Sequence, residues 1–289
     1  MQIDGHTRLA AVVATPIKHS ISPFIHNYAF DKTGINGVYV AWDIPESELE
    51  ATLANVKRYD MFGINVSMPY KRVVPQYLDE LDESASLIGM VNTVVNKNGK
   101  LIGHNTDGYG FFASLPQEFD LKDKTITILG GSGAATAISA YAAQNGVGKI
   151  NMFNKAKYLD VTIERQGRVA EQTGTKIEIF DIADKKQIQE KANDADLLVN
   201  ANSVGMDGIS TVVSADMVFK EGLLVADVIY QPFETPFLRL AKAQGATTIN
   251  GLGMLLFQAA EAFRLWTGEM MPTAEIWQAL EEKYKSEIR

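Results

Sequence analysis

Cysteine is absent from this sequence of 289 residues, which removes disulfides, thiolate nucleophiles and cysteine-ligated zinc together and is consistent with a reducing compartment. Histidine is scarce: His6, His19, His26 and His104 are the four present. They form no His-x-x-x-His pair and no other metal-ligand spacing, so no metal site is expected. Long apolar runs are missing as well. Arg8 followed by the six apolar residues 9–14 is the nearest approach to a targeting signal, and a secretory core needs roughly 7 to 15 apolar residues and a membrane span roughly 20. The expectation is a strand at that position, no membrane partner and a cytoplasmic location. Positive charge is in deficit, with 27 Lys plus Arg against 35 Asp plus Glu and a net charge of −8. Such a chain repels phosphate backbones and anionic headgroups, which excludes nucleic acid as an expected partner. There is no Gly-x-Ser-x-Gly elbow and no P-loop lysine, against a serine hydrolase and against a P-loop nucleotidase.

What is present is an ordinary globular composition, 46% apolar and 21% charged, long enough for one large domain or two ordinary ones. The first hundred residues alternate apolar or β-branched runs with helical patterns, over 9–15, 23–33 and 38–44, which reads as βαβ. Ser22 before Pro23 predicts a helix start with a serine side-chain cap and a proline at the first helical position, and Gly34 predicts its end. The cycle repeats through a helix over 47–59, a strand over 63–68 and a helix opened by Pro69. Asn98-Gly99 between two apolar pairs has the two-residue hairpin signature.

The polar segment 115–124 (LPQEFDLKDK) separates this pattern from a fresh one. Strands are predicted over 125–129, 149–153, 176–180, 197–200 and 223–228, with helical segments between most of them. The expected fold class is therefore α/β: a mixed α/β domain over 1–115 and a doubly wound Rossmann-type domain over 116–251. Helical patterns over 254–266 and 274–284 follow with no strand left to feed.

The most informative local motif is the segment 125–137, where a strand runs into a glycine turn and an Ala-rich helix. Gly130, Gly131 and Gly133 permit a tight turn and a close backbone approach, and the helix start offers unpaired N–H groups to a pyrophosphate. Ser132 stands where the Gly-x-Gly-x-x-Ala pattern has its second glycine, with Ala134 next in the helix start. A glycine-rich turn without a ligand is the alternative. The next predicted strand ends at Asn154, Lys155 and Lys157, where a dinucleotide would place its adenosine ribose. Cations stand there instead of the carboxylate expected for a free 2′-hydroxyl, so NADP is expected to be usable without being exclusive of NAD. In the first half, Asn65-Val-Ser67-Met-Pro-Tyr-Lys71 places a hydroxyl and a lysine at the carboxyl end of a strand, where open α/β sheets bind ligands. Lys71 is then either catalytic or a solvated surface charge. Asp107, after Gly103-His-Asn-Thr, is either a site residue or a helix-capping side chain. Ser20 and Ser22 flank Ile21 just after the first strand.

Taken together these segments resemble the shikimate dehydrogenase family. The strings that carry the resemblance are Lys18-His-Ser20-Ile-Ser22-Pro, Asn65-Val-Ser67-Met-Pro-Tyr-Lys71, Gly89-Met-Val-Asn92-Thr, Asn105-Thr-Asp107-Gly, the glycine loop, Asn200-Ala-Asn-Ser203-Val-Gly-Met206, Asp227-Val228-Ile-Tyr230-Gln-Pro and Gly251-Leu-Gly-Met254-Leu-Leu-Phe-Gln258. The resemblance implies a two-domain enzyme that reversibly reduces 3-dehydroshikimate to shikimate, in aromatic amino acid biosynthesis, with NADP or NAD. It implies a substrate held in the cleft between the domains and terminal helices (252–289) that return to the substrate domain. Ser20 and Ser22 would hold the substrate carboxylate, Ser67, Asn92, Asp107 and Gln258 its ring hydroxyls, and Tyr230 would stand beside the carboxylate. Lys71 and Asp107 would be the catalytic pair. Ser203, Met206, Val228, Tyr230, Gly251 and Met254 would join the glycine loop around the cofactor. Ser67 stands where the family usually has threonine, Ser132 where it has a loop glycine, and Lys155 where it has arginine. With the stretches 135–138 and 255–258, Ser67 looks more like the quinate/shikimate dehydrogenase branch, so quinate is a possible second substrate. The expected assembly is a monomer or homodimer. The rival reading is a catalytically silent dinucleotide-binding sensor of a small hydroxy acid.

Overall fold

A computed structural model describes residues 3–283. They pack as two units, one comprising the chain up to Thr106 together with Leu256–Lys283, the other Asp107–Leu255. Among the described residues no helix is long and apolar enough to cross a membrane.

The first unit opens with β1 (Arg8–Ala14), α1 (Ser22–Thr33), β2 (Gly37–Asp43), α2 (Leu49–Arg58), β3 (Gly63–Val66), β4 (Glu80–Leu81), the single turn α3 (Glu83–Ser86), β5 (Thr93–Lys97) and β6 (Lys100–His104). Its sheet has the order β2-β1-β3-β5-β6-β4. β1 lies between two parallel neighbours, and the whole run from Ala10 to Ala14 is buried, which explains why it reads as continuously apolar instead of alternating. The hairpin between β5 and β6 reverses direction at Asn98 and Gly99, with φ of 55° and 81°. Two successive positive φ values define the turn that Asn-Gly favours. Leu53, Ile64, Val66, Val91 and Val94 meet in the core of this unit.

The second unit runs through α4 (Asp107–Ala113), β7 (Thr125–Leu129), α5 (Gly133–Gln144), β8 (Lys149–Asn154), α6 (Leu159–Thr173), β9 (Lys176–Asp181), α7 (Lys185–Asp194), β10 (Leu197–Asn200), β11 (Leu224–Asp227), α8 (Pro236–Ala243) and β12 (Thr247–Ile249). The sheet order is β12-β11-β10-β7-β8-β9, parallel throughout. This is the doubly wound dinucleotide-binding order, and its direction reverses between β7 and β10. Leu129, Phe153, Leu198, Val225 and Phe237 form the core on one face.

Two helices complete the described chain, α9 (Leu252–Thr267) and α10 (Thr273–Lys283). The Trp266 indole N–H donates to the Val94 carbonyl at 3.0 Å, and Lys32 on α1 pairs with Glu275 on α10 at 2.9 Å. These contacts attach the terminal helices to the first unit. The part of the expected terminal helical region at 284–289 lies outside the described residues.

Four features differ from the sequence expectations. Ser22 is the first residue of α1 and not its cap: Ile21 already has helical dihedrals and precedes the helix without a side-chain bond. Pro69 opens two short 3₁₀ turns, Tyr70–Arg72 and Val74–Tyr77, and not an α-helix. The second proline, Pro75, denies a donor to any continuing helix. β12 joins the second sheet beyond the five strands expected there. The limit between the units falls at Thr106/Asp107, ahead of the polar segment 115–124, because α4 packs on α5. A Cβ on Gly108 would meet the Ala137 carbonyl at 2.5 Å.

Candidate active site

In the first unit the carboxyl end of β3 leads directly into Ser67 and Lys71. The Ser67 N–H donates to the Val13 carbonyl and its own carbonyl accepts from Tyr70 N–H at 2.9 Å. The buried Tyr70 phenol donates to the Ile44 carbonyl at 2.6 Å. On the far side of Tyr70, the Lys71 carbonyl accepts from Val91 N–H at 2.9 Å. Lys71 is thus fixed at its backbone from both sides, with its side chain half-buried.

Asn92 stands where three segments meet. Its carbonyl accepts from Val66 N–H at 2.8 Å and its N–H donates to His104. Its side-chain oxygen accepts from Thr106 N–H at 2.8 Å, and its Nδ2 donates to Thr106 Oγ1 at 3.0 Å. Asn65 Nδ2 donates to the Asn92 carbonyl at 3.2 Å and to Thr93 Oγ1 at 3.0 Å. The structure therefore joins Ser67, Lys71 and Asn92 in one continuous hydrogen-bonded strand-end assembly. Ser20 and Ser22 are joined separately, Ser22 N–H donating to Ser20 Oγ at 3.2 Å. Gln258 lies half-buried on α9.

Asp107 is the first residue of α4 and is 6% exposed. It is not a capping side chain ahead of the helix, because the residue before the helix is Thr106.

In the second unit the glycine loop sits at the reversal point between β7 and β10. Ser132 caps α5, its Oγ accepting from Ala135 N–H at 3.2 Å, and donates to the Ala201 carbonyl at 2.8 Å. Asn202 Nδ2 donates to the Leu129 carbonyl at 2.9 Å. The loops after β7 and β10 are thereby tied together. Gly130 has φ 140°. A Cβ on Gly130 would meet the Ala201 carbonyl at 2.5 Å, and one on Gly131 would meet Asn154 Nδ2 at 2.0 Å. The Asn154 carboxamide also donates to Thr162 Oγ1 at 2.9 Å and accepts from Lys155 N–H at 2.8 Å. Glycine backbone at a helix start beside a polar strand end fits a dinucleotide pyrophosphate. Gly133 and Ala134 open α5 half-buried, and Lys155 and Lys157 are exposed. The Lys157 ammonium sits 4.8 Å from the centre of the Tyr158 ring.

Val228 and Gly251 are brought together, since a Cβ on Gly251 would meet the Val228 carbonyl at 2.0 Å. Met254 follows as a buried residue of α9. Half-buried Tyr230 has its phenol pushed above the usual tyrosine value by burial. Ser203 and Met206 are exposed in the loop after β10, and only a backbone bond of 3.3 Å joins them.

Asp227 is a side chain to which the sequence assigned no role. Its carboxylate is 1% exposed. It accepts from Asn200 Nδ2 at 3.1 Å, Ile229 N–H at 3.0 Å and the Thr235 hydroxyl at 2.7 Å. Burial raises its pKa, these donors opposing. Thr235 also caps α8, so Asp227 locks the segment carrying Val228 and Tyr230 to two neighbouring elements. Its signal in the sequence was an acidic residue ending an apolar strand. Tyr39 and Asn65 were also unassigned, and their bonding partners are remote in sequence.

A doubly wound sheet with a ligand-ready glycine loop, joined to a second α/β unit presenting a backbone-anchored lysine among asparagines and serines, defines a dinucleotide-dependent oxidoreductase with its own substrate domain. The sequence matches the family model for the shikimate dehydrogenase substrate binding domain over residues 12–94 and that for the shikimate 5′-dehydrogenase C-terminal domain over residues 251–281. It is 65% identical over 288 residues to a shikimate dehydrogenase (NADP(+)) of Streptococcus mutans serotype c, covering 99% of this chain and 100% of that one. The structure superposes with TM-score 0.92 on shikimate 5-dehydrogenase from Listeria monocytogenes in complex with shikimate and NAD, at 41% identity, covering 97% of this chain and 98% of that chain. It is also similar to quinate dehydrogenase from Corynebacterium glutamicum in complex with NAD, with TM-score 0.84 and 27% identity, covering 96% and 99%. The chain belongs to the shikimate dehydrogenase family.

Proposed function

We propose that this member of the family works with Lys71 as its acid/base residue, Asp107 as the carboxylate that orients the substrate, and NADP or NAD as its cofactor. The reaction is the reversible reduction of 3-dehydroshikimate to shikimate. The observation that carries the residue assignment is the anchoring of Lys71 through its carbonyl to Val91 N–H at 2.9 Å, next to Asn92 and beyond the carboxyl end of β3. A bound nicotinamide supplies the hydride in reduction and accepts it in oxidation.

In the reductive direction the Lys71 ammonium stabilises the negative charge that develops on the ketone oxygen and then donates its proton there. In the oxidative direction the neutral amine takes that proton from the hydroxyl. Asp107, short of solvent at the start of α4, holds a substrate hydroxyl. Ser20 and Ser22 donate to the substrate carboxylate, with Tyr230 beside it, and Ser67, Asn92 and Gln258 hold ring hydroxyls. Residues 130–134 take the pyrophosphate at the start of α5. Asn154, Lys155 and Lys157 take the adenosine ribose end, while Ser203, Met206, Val228, Gly251 and Met254 complete the cofactor site. In this reading the first unit supplies Lys71 and most of the substrate ligands, and the second supplies the dinucleotide site together with Asp107 and Tyr230.

The absence of a methyl group at Ser67 and the similarity to a quinate dehydrogenase support quinate as a second substrate. We further take it to be a cytoplasmic enzyme, monomer or homodimer, with small-molecule partners; the net charge of −8 supports only the last, since it disfavours nucleic acid. An absorbance assay of nicotinamide reduction over shikimate and quinate, each with NADP and NAD, tests this reading. Shikimate oxidation is the expected result. Binding of both ligands with no turnover would overturn it in favour of a silent sensor.

A further inference from the structure

We infer that Thr93 is a positioning residue of the substrate site, its buried hydroxyl holding the Asn92 carboxamide with the oxygen inward and the donor end toward the substrate. The inference rests on the reading of Asn92 as a ligand of a substrate ring hydroxyl.

Thr93 opens β5 and is fully buried, so it touches no substrate itself. It stands opposite Asn65 on β3 and His104 on β6, so the sheet holds its backbone from both sides and its side chain shares a face with that of Asn65. Asn65 Nδ2 donates to Thr93 Oγ1 at 3.0 Å. Thr93 Oγ1 in turn donates to Asn92 Oδ1 at 3.0 Å, and Thr106 Oγ1 lies 3.3 Å from the same threonine oxygen.

These bonds have one consistent direction. Asn65 Nδ2 also meets the Asn92 carbonyl at 3.2 Å, a group that can only accept, so this end of Asn65 is the donor. Its Oδ1 then takes the Tyr39 phenol proton at 2.7 Å. The Thr93 hydroxyl therefore receives from Asn65, and its single proton goes to Asn92. Thr106 N–H, which can only donate, reaches the same Asn92 Oδ1 at 2.8 Å. A flipped Asn92 amide would set its NH2 against that N–H and leave the Thr93 proton without an acceptor. Thr106 grips the amide from the segment after β6, and Thr93 ties it to the sheet itself. Bonds running head to tail from Tyr39 through Asn65 and Thr93 to Asn92 also polarise one another in a buried site.

The test is steady-state kinetics of shikimate oxidation by the full chain carrying Thr93→Val. Valine keeps the shape and the strand preference and deletes only the hydroxyl. Asn65 Nδ2 keeps the Asn92 carbonyl and Asn92 Oδ1 keeps Thr106 N–H, so neither neighbour is left without a partner. The expected result is a rise of about tenfold in KM for shikimate, the size of one lost hydrogen bond, with KM for NADP unchanged. Thr93→Ser, which returns the hydroxyl, should restore KM to near the parent value. In an Asn92→Ala background Thr93→Val should have little further effect, since the group it positions is gone. An unchanged KM for shikimate, a parallel rise in both KM values, a serine variant as impaired as the valine one, or an equal rise in the Asn92→Ala background would each overturn the inference. Should Thr93→Val fold poorly, Tyr39→Phe removes the first donor of the chain and keeps the ring stacked on His26. It should give the same selective rise in smaller degree, and no rise would overturn the inference. Asn92→Ala alone tests the underlying reading and should itself raise KM for shikimate. No rise there would remove the reading of Asn92 and this inference with it, whereas a harmful Asn92→Ala beside a silent Thr93→Val would overturn the inference alone.

Discussion

The imidazole of His26 stacks on the ring of Tyr39 with centroids 4.2 Å apart and planes 9° from parallel, and neither of its buried nitrogens has a hydrogen-bond partner. Tilted rings of Trp266 and Phe263 lie at 5.2 Å and 6.4 Å. Burial alone holds the His26 pKa down to about 3, from an ordinary 6.5. The unfolded chain therefore takes up a proton near pH 6.5 that the folded chain refuses until about pH 3, and stability falls as pH drops through that window. The slope contributed by His26 approaches about 1.4 kcal/mol per pH unit. Urea unfolding at about pH 7.5 and about pH 5.5 should show a lower midpoint in acid, and His26→Leu should shrink the difference. Tryptophan fluorescence is the selective readout, because Trp42, Trp266 and Trp277, the three tryptophans, all belong to the first unit. An equal acid loss in the variant would assign the pH dependence elsewhere.

Lys71→Ala should lower kcat by about a hundredfold or more, the usual contribution of general acid-base catalysis, and change KM for shikimate far less. Asp107→Ala should damage both parameters, because it removes a substrate hydrogen bond. The chain should stay folded in the Lys71 variant, since the half-buried side chain lies outside the core cluster of its unit and its backbone bond to Val91 survives the change. Near-normal kcat in a folded Lys71→Ala protein would return Lys71 to the status of a binding or surface charge.

The architecture was legible where local chemistry and packing agree: the apolar run of β1, the Asn98-Gly99 turn, Gly34 at the end of α1 and the strand-to-glycine-loop transition at β7. It was misread where a neighbouring segment decides. Ser22 looks like a cap, but Ile21 has already entered the helix. Segment 115–124 looks like a domain linker, yet α4 before it is committed to α5 through Gly108. The strand-end assembly around Asn92 could be named residue by residue from motifs. Its coupling through Asn65 to Tyr39 could not, because Tyr39 is 26 positions from Asn65 and reads as an ordinary strand aromatic.

Lys155→Ala and Lys157→Ala should each raise KM for NADP and leave KM for NAD nearly unchanged, because an ammonium pairs with a 2′-phosphate and has no such partner on a free ribose. Lysine is a point charge without the bidentate fork of arginine, so the parent protein should discriminate between the cofactors only modestly. A kcat/KM for NADP roughly a hundredfold below that for NAD would contradict this assignment.

Ser67→Thr restores a methyl group beside a hydroxyl that is kept. Quinate carries an extra hydroxyl on a saturated ring carbon, so the added methyl should lower quinate oxidation relative to shikimate. A single methyl or methylene in a binding site discriminates by roughly 10- to 200-fold at most, and the lower end is expected at a half-buried position. A quinate-to-shikimate ratio of kcat/KM that does not move would show that breadth is set at another residue.

Gly131→Ala isolates the glycine loop from the substrate residues. An added Cβ would stand 2.0 Å from Asn154 Nδ2 and 2.6 Å from its carboxamide carbon, so the Asn154 side chain must move. That movement breaks its bond to Thr162 and its acceptance of the Lys155 N–H, displacing the ribose end of the cofactor site together with the loop. Gly131 carries no positive φ, so the substitution adds no backbone strain of its own and the damage is confined to this contact. The expected outcome is a rise in KM of tenfold or thereabouts, about 1.4 kcal/mol, for NADP and NAD alike, with shikimate affinity measured by titration of the cofactor-free protein unchanged. Asn154→Gly, which removes the obstructing carboxamide, should relieve part of the defect when combined with Gly131→Ala, although it sacrifices the Thr162 bond. If Gly131→Ala bound both dinucleotides as the parent does, the close approach between loop and strand end would have no part in cofactor binding.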